Sequence, residues 1–244
     1  MMIFAQLLIM QIMAHLLADF TFQSHDMATE KLESGFASKM LKWHIIIVFI
    51  LSWILSFQWE FVIASTVIAL LHWLIDGLKK RLASKEKIVK YSFFIDQTVH
   101  FLVIIICVYV FVYFFDIHFF EVHTIQLSLN THELLIFLGL LLCTKPANIF
   151  IGEVMKVYNI KFTDNESIQN AGKLIGNCER IISLVLILNG QFEAVGFILA
   201  GKSILRYKET DTPKTEYVLI GTLLSFGIAI IIGTGIPFLE NLIN

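Results

Sequence analysis

The chain has 244 residues, of which 57% are hydrophobic and only 16% charged, and its formal net charge is −2. A soluble domain carries about 25% charged residues, so this composition excludes one. It carries no basic tract resembling a nucleic-acid arm, which excludes nucleic acid as a partner.

Apolar runs such as "IIIVFILSWILSF" and "FLVIIICVYVFVYFF" point to an all-α, polytopic membrane protein, because a spanning helix needs roughly 20 mostly apolar residues. The first segment, about 3–23, lacks a basic leader and a small-residue cleavage site and reads as a retained helix. Inside it, "MAHLLADFTFQ" sets His15 and Asp19 one helical turn apart. The second segment, near 40–57, opens with His44, and the third, near 60–78, contains "HWLID" with His72 and Asp76. In the fourth, near 92–115, Asp96 and His100 fall in the opening turns. A fifth segment covers 133–152. The stretch 166–209 reads as one span or, divided at the turn signal "NGQ" of residues 189–191, as helices over 167–188 and 192–207. The last segment lies near 216–236.

The division gives eight helices and sets every basic cluster on one side: Lys31, Lys39 and Lys42, then Lys79 to Lys90, Lys156 and Lys161, and Lys208 and Lys214. The loops at 58–60 and 116–132 contain neither Lys nor Arg. Cytoplasmic loops carry the excess of Lys and Arg, so both termini are predicted outside the cytoplasm. Residues 1–130 contain two glycines and no proline, while the rest hold the other eleven glycines and all three prolines. The predicted organisation is a four-helix half over 1–116, an outer loop over 117–132 and a Gly-rich half over 133–244. Cys107, Cys143 and Cys178 are far apart and without CxxC spacing, which reads as packed thiols rather than a disulfide framework.

A repeat lies within the first half. "HLLAD" at 15–19 is matched by "HWLID" at 72–76, and His44 and His100 follow each first histidine at nearly the same interval. Residues 1–57 and 58–116 thus read as two helix hairpins in parallel orientation. Each i,i+4 pair stacks on one helix face. Ionisable groups within spans are rare and face a partner or a cavity. One such pair reads as a hydrogen-bonded brace or a proton relay. His15, Asp19, His44, His72, Asp76, Asp96 and His100 at one depth read instead as ligands of one or two divalent ions. Imidazole and carboxylate donors without cysteine suit zinc, with manganese or iron as alternatives. Asp96 is the candidate bridging, supporting or catalytic carboxylate; Gln23, Lys39 and Gln97 neighbour the cluster as supporting groups, substrate contacts or plain interface residues. His25, His118, His123 and His132 read as solvated loop histidines.

In the second half, "NAGKLIGNCER" and "GQFEAVGFILAGKSILR" carry Lys173, Glu179, Arg180, Lys202 and Arg206. One reading is interhelical ion pairing, such as Glu179 with Arg206, with snorkelling to the headgroups. The other is a cationic pocket in which these residues bind a phosphate or other anionic substrate and Lys202 and Arg206 neutralise its charge. Gly172 and Gly176 form a GxxxG that permits close helix approach.

"HLLADFTFQ", "HWLIDGLKK" and "DQTVH", followed by "NAGKLIGNCER…FEAVGFILAGKSILRYKE…EYVLIGTLLSF", resemble the domain-of-unknown-function family 3307. The resemblance implies a multi-pass protein of the bacterial inner membrane and brings no activity. The intramembrane histidines alone are also similar to those of bacterial membrane-bound metal-dependent hydrolases. Three functions follow as expectations: a metal-dependent hydrolase acting at the cytoplasmic leaflet on a phosphorylated or lipid-linked substrate; a divalent-metal or proton-coupled transporter; and a membrane sensor or partner protein with a structural metal. Membrane lipid is the expected partner, and a homo-oligomer stays open.

Overall fold

In a computed structural model, residues 2–82, 89–115, 130–160, 171–205 and 212–243 are described, and these are all-helical, without strands. The chain divides into two compact units, Met1–Leu134 with Ile243–Asn244 and Leu135–Leu242. Among the described residues, five helices are long and apolar enough to cross a membrane, or six if one bent pair counts as a span. That makes the chain a polytopic helical protein with the character of a membrane protein.

The first unit contains α1 (Met2–Leu16), α2 (His25–Ser34), α3 (Lys39–Ser56), α4 (Val62–Leu82) and α5 (Ser92–Phe114). α1 packs on α3 and α5, and α4 packs on the same two, so the long helices close a four-membered ring with α1 and α4 on its diagonal. Each turns a single stripe inward. On α3 the buried positions are Leu41, His44, Val48, Ser52 and Ser56; on α5 they are Asp96, His100, Ile104, Cys107, Val108 and Phe111. Spacings of three and four residues keep these side chains on one helix face. The opposite faces are apolar and exposed, among them Ile46, Ile50, Ile54, Leu102, Ile106 and Tyr109. Such a surface is matched to lipid rather than to water.

Two local departures shape this unit. The end of the first span is a π turn over Leu17–Thr21, closed by Phe22 N–H to Leu17 C=O at 2.9 Å. The corresponding end of α4 is regular helix. The stretch expected to be a basic loop after α1 is instead α2, which His25 opens. Ser24 caps it, its hydroxyl accepting from Met27 N–H at 3.2 Å. Glu30 on α2 then accepts from the Ser38 hydroxyl at 2.9 Å and from Lys39 N–H at 3.0 Å. A carboxylate there satisfies open amides at the start of α3 and tethers α2 to it.

The second unit holds most of α6 (Thr131–Leu142), then α7 (Lys145–Val157), α8 (Ala171–Leu188), α9 (Phe192–Leu205) and α10 (Thr212–Ile243). The fifth predicted span is broken: α6 and α7 bend by 48° at Cys143–Thr144. Pro146, in the first turn of α7, has no N–H to continue the preceding helix. The chain turns at Asn189–Gln191, where Gly190 has φ 72°, a conformation that favours glycine. α8 and α9 meet at that turn, but neither is counted among the five candidate spans. The GxxxG does not bring helices together: a Cβ at Gly172 would meet open space, and one at Gly176 would meet the Arg180 side chain of its own helix. Close approach occurs at Gly139, where a Cβ would lie 3.0 Å from Ile232 and Ile236. The cysteines are free; Cys107 and Cys143 are buried, and Cys178 is exposed rather than packed.

Candidate metal centre

The four long helices of the first unit bring His15, Asp19, His44, His72, Asp76, Asp96 and His100 into one buried cluster. None is more than 9% exposed. Its heart is four donor atoms from two helices and the π turn. His44 Nε2 lies 3.1 Å from His72 Nε2, 3.2 Å from Asp19 Oδ1 and 3.7 Å from Asp76 Oδ2. His72 Nε2 lies 3.4 Å from Asp19 Oδ1 and 3.5 Å from Asp76 Oδ2. A tetrahedral metal with ligands at about 2.0–2.2 Å spaces its donors about 3.3–3.6 Å apart. The five separations fall at or within a few tenths of an ångström of that range, so the two histidines and either carboxylate are spaced as ligands of one ion. The two imidazoles aim the same nitrogen at each other, and Asp19 Oδ1 makes no hydrogen bond.

A second donor set adjoins the first. His100 Nε2 is 3.4 Å from Asp96 Oδ1 and 3.7 Å from Asp76 Oδ1. The carboxylate between the two sets is thus Asp76, with one oxygen toward each; Asp96, the bridging candidate of the sequence reading, lies at the outer end. Among the described residues, three groups of three could hold an ion: His15, Asp19 and His72; His44, His72 and Asp76; Asp76, Asp96 and His100.

Gln97 fixes the orientation of the rest. Its Nε2 donates to Asp96 Oδ2 at 3.2 Å and to Asp19 Oδ2 at 3.4 Å, so its Oε1 faces His15 Nε2, 3.1 Å away. That oxygen accepts, which puts the His15 proton on Nε2 and a lone pair on Nδ1. Nδ1 is 3.8 Å from Asp19 Oδ1 and has no hydrogen bond. Two acceptors facing each other in a buried site are reconciled by a cation or a proton between them.

Two lysines complete the electrostatics, and the sequence reading had used both only for orientation. Lys31, buried on α2, donates to Asp76 Oδ2 at 2.6 Å and to Gln23 Oε1 at 2.5 Å. Lys79 reaches Asp76 Oδ1 at 2.8 Å and Asp96 Oδ2 at 2.7 Å. Lys79 had a local signal, since it stands three residues after Asp76 on one helix. Lys31 is 45 residues from Asp76 in sequence and had none. With neutral imidazoles, three carboxylates and two ammonium groups leave one negative charge in excess. Lys39 is exposed and stands outside this network, whereas Gln23 and Gln97 belong to it.

The charged residues of the second half belong to the second unit. Arg180 is 1% exposed and has no carboxylate partner among the described residues. Its guanidinium donates to Cys143 C=O at 2.8 Å, Ser225 Oγ at 2.9 Å, Asn148 Oδ1 at 2.6 Å and Asn177 Oδ1 at 2.8 Å. The cation thereby caps the open end of α6 at the helix break, where the dipole favours positive charge. Glu179 pairs with Lys202 at 2.6 Å. Lys173 is exposed. Arg206, the other expected partner, lies outside the described residues, as do His118 and His123. His132 falls in the first turn of α6 rather than in a loop.

Comparison with known families gives a match. The model of a family described as "Protein of unknown function (DUF3307)" covers residues 7–143, a stretch that contains every member of the His/Asp cluster. No curated protein and no solved structure matches the chain.

Proposed function

The chain belongs to the DUF3307 family, and we propose that it is an integral membrane metalloprotein, a metal-dependent hydrolase that acts at a membrane leaflet on a phosphorylated or lipid-linked substrate. The observation that carries this reading is that His44 Nε2 and His72 Nε2 lie 3.1 Å apart and each within 3.2–3.7 Å of Asp19 Oδ1 and Asp76 Oδ2, spacings that suit the ligands of one ion. Zinc suits two imidazoles and two carboxylates best, with manganese or iron as alternatives. A divalent ion with an open position supplies a nucleophile from water at neutral pH and polarises a phosphoryl or carbonyl oxygen. The four-donor set has no such position. The neighbouring set of three, Asp76, Asp96 and His100, has one once Lys79, whose side chain is 29% exposed, swings off its two carboxylates. Asp96 at that outer end is the group poised to orient a water or accept its proton.

The parallel-repeat reading supports the same site. α1 with its π turn and α4 lie on a diagonal and each contributes a His-Asp pair, as two copies of one hairpin would. In the proposed topology of eight spans, both termini lie outside the cytoplasm of a bacterial inner membrane and the centre opens to the cytoplasmic side.

A second reading is a sensor or partner protein, favoured by the burial of all four donors, since structural sites are closed. Metal analysis of the purified full chain separates these. At least one zinc per chain, lost in His44→Ala/His72→Ala, is expected; a wild-type chain without stoichiometric metal sinks both. Phosphatase or lipid-phosphate hydrolase activity that chelator removes and zinc restores is expected of the enzyme. Its absence with metal bound leaves the structural role. Lys202→Ala should lower turnover if it meets substrate, and only stability if it serves Glu179.

A further inference from the structure

Lys79 occupies an unusual position. Its Nζ sits between two carboxylates, 2.8 Å from Asp76 Oδ1 and 2.7 Å from Asp96 Oδ2. Beside it, His100 Nε2 and Asp96 Oδ1 face each other at 3.4 Å, both buried and neither hydrogen-bonded. These atoms form the three-donor set adjoining the four-donor one, and the ammonium lies on the two carboxylates that an ion there would need.

We propose that Lys79 is a built-in cation that fills a second metal seat made by Asp76, Asp96 and His100, so that the centre takes one divalent ion while the ammonium is in place and two when it is removed. The inference deepens the metalloprotein reading and rests on it. Three observations carry it. First, the seat has the donor chemistry of a metal site: two carboxylates and an imidazole, with unsatisfied atoms aimed inward. Second, a divalent ion there would share both of its carboxylates with the Lys79 ammonium, whereas Lys31 touches only one of the four donors of the neighbouring set, and like charges that close repel. Third, Lys79 can leave. Its side chain is 29% exposed, against 4% for Lys31, the other lysine on Asp76. A four-carbon stem lets the ammonium swing to solvent while α4 stays in place.

An ordinary counter-ion makes a different prediction: its removal destabilises the carboxylates and creates no new ion site. The test loads the full chain in detergent with zinc, removes excess by dialysis and measures metal per protein for wild type, Lys79→Met and Lys79→Arg. About one ion is expected for wild type and Lys79→Arg, and about two for Lys79→Met. A Lys79→Met chain that stays at one ion, or a wild type that holds two, overturns the proposal. Wild type loaded with manganese gives an independent measurement if the methionine variant does not fold. The resonance of an isolated ion supports the proposal, and the spectrum of a carboxylate-bridged pair overturns it. One ion in every variant removes this inference and leaves the metalloprotein reading intact. No ion in any of them removes both.

Discussion

At the scale of single residues, the centre depends on groups that bind nothing themselves. Gln97 holds His15, Asp19 and Asp96 together through one amide. Outer partners of this kind typically contribute 10–100-fold in metal affinity. Gln97→Ala should weaken zinc binding by about that factor, read by competition with a chelating dye, while helicity by circular dichroism stays unchanged. A larger loss would make Gln97 a ligand's equal, and no loss would remove it from the centre. Arg180 plays a comparable part in the second unit. Replacing it with methionine takes the donor from the buried Cys143 C=O and Ser225 Oγ and from Asn148 Oδ1, while Asn177 Oδ1 still accepts from Asn148 Nδ2, a cost on the order of 3 kcal/mol. Arg180→Met should lower the thermal midpoint clearly and Arg180→Lys by less, since an ammonium has three donors against five. Equal midpoints for wild type and Arg180→Met would show that the guanidinium holds nothing together. The His/Asp pairs were legible in the sequence because an i,i+4 spacing is local and an aspartate inside an apolar run is conspicuous. The Arg180 ring was not, because its partners come from residues 143, 148, 177 and 225, and a neutral amide in a span announces no partner.

At the scale of elements, the π turn and α2 decide how the centre is built. The two sequence copies "HLLAD" and "HWLID" look alike, yet Asp19 sits in a π turn and Asp76 in regular helix. A π turn changes the rotation of the residues within it, and periodicity read from residue types does not register such a change. α2 was legible only as a basic loop, because its mean composition is polar and its one buried member is a lysine. What seats this region is a glycine on another helix. A Cβ at Gly77 would overlap the Phe36 ring, which lies edge-on to Trp73 with centroids 4.8 Å apart. Gly77→Ala should therefore push Phe36 off α4, at a cost of about 1–3 kcal/mol for overpacking. It should also loosen Lys31 on Asp76. The expected readout is faster proteolysis within residues 24–38 together with a lower thermal midpoint; an unchanged digestion pattern would show that the 35–37 turn is not what holds α2 down.

At the scale of the whole molecule, the span count turns on α8 and α9. They have 18 and 14 residues, about 27 and 21 Å of helix at 1.5 Å per residue, against a hydrocarbon core of about 30 Å. The charge pattern nevertheless demands an even crossing between Lys156 and Lys208 if both lie in the cytoplasm, and a hairpin turning at Gly190 supplies it. Composition made the membrane character legible at once. It left the number of spans open, because polar residues such as Lys173, Asn177, Glu179 and Arg180 dilute the apolar signal of α8. Single cysteines, introduced after the three native ones are replaced by alanine, decide the matter. Gln191→Cys should react with a membrane-impermeant maleimide in intact cells, and Ser84→Cys and Glu209→Cys only after permeabilisation. That pattern fixes eight spans with the basic loops inside. If Gln191→Cys is protected like the other two, α8 and α9 form a hairpin that does not cross, and the chain has six spans. If Ser84→Cys reacts in intact cells, the orientation is reversed, and the metal centre opens away from the cytoplasm.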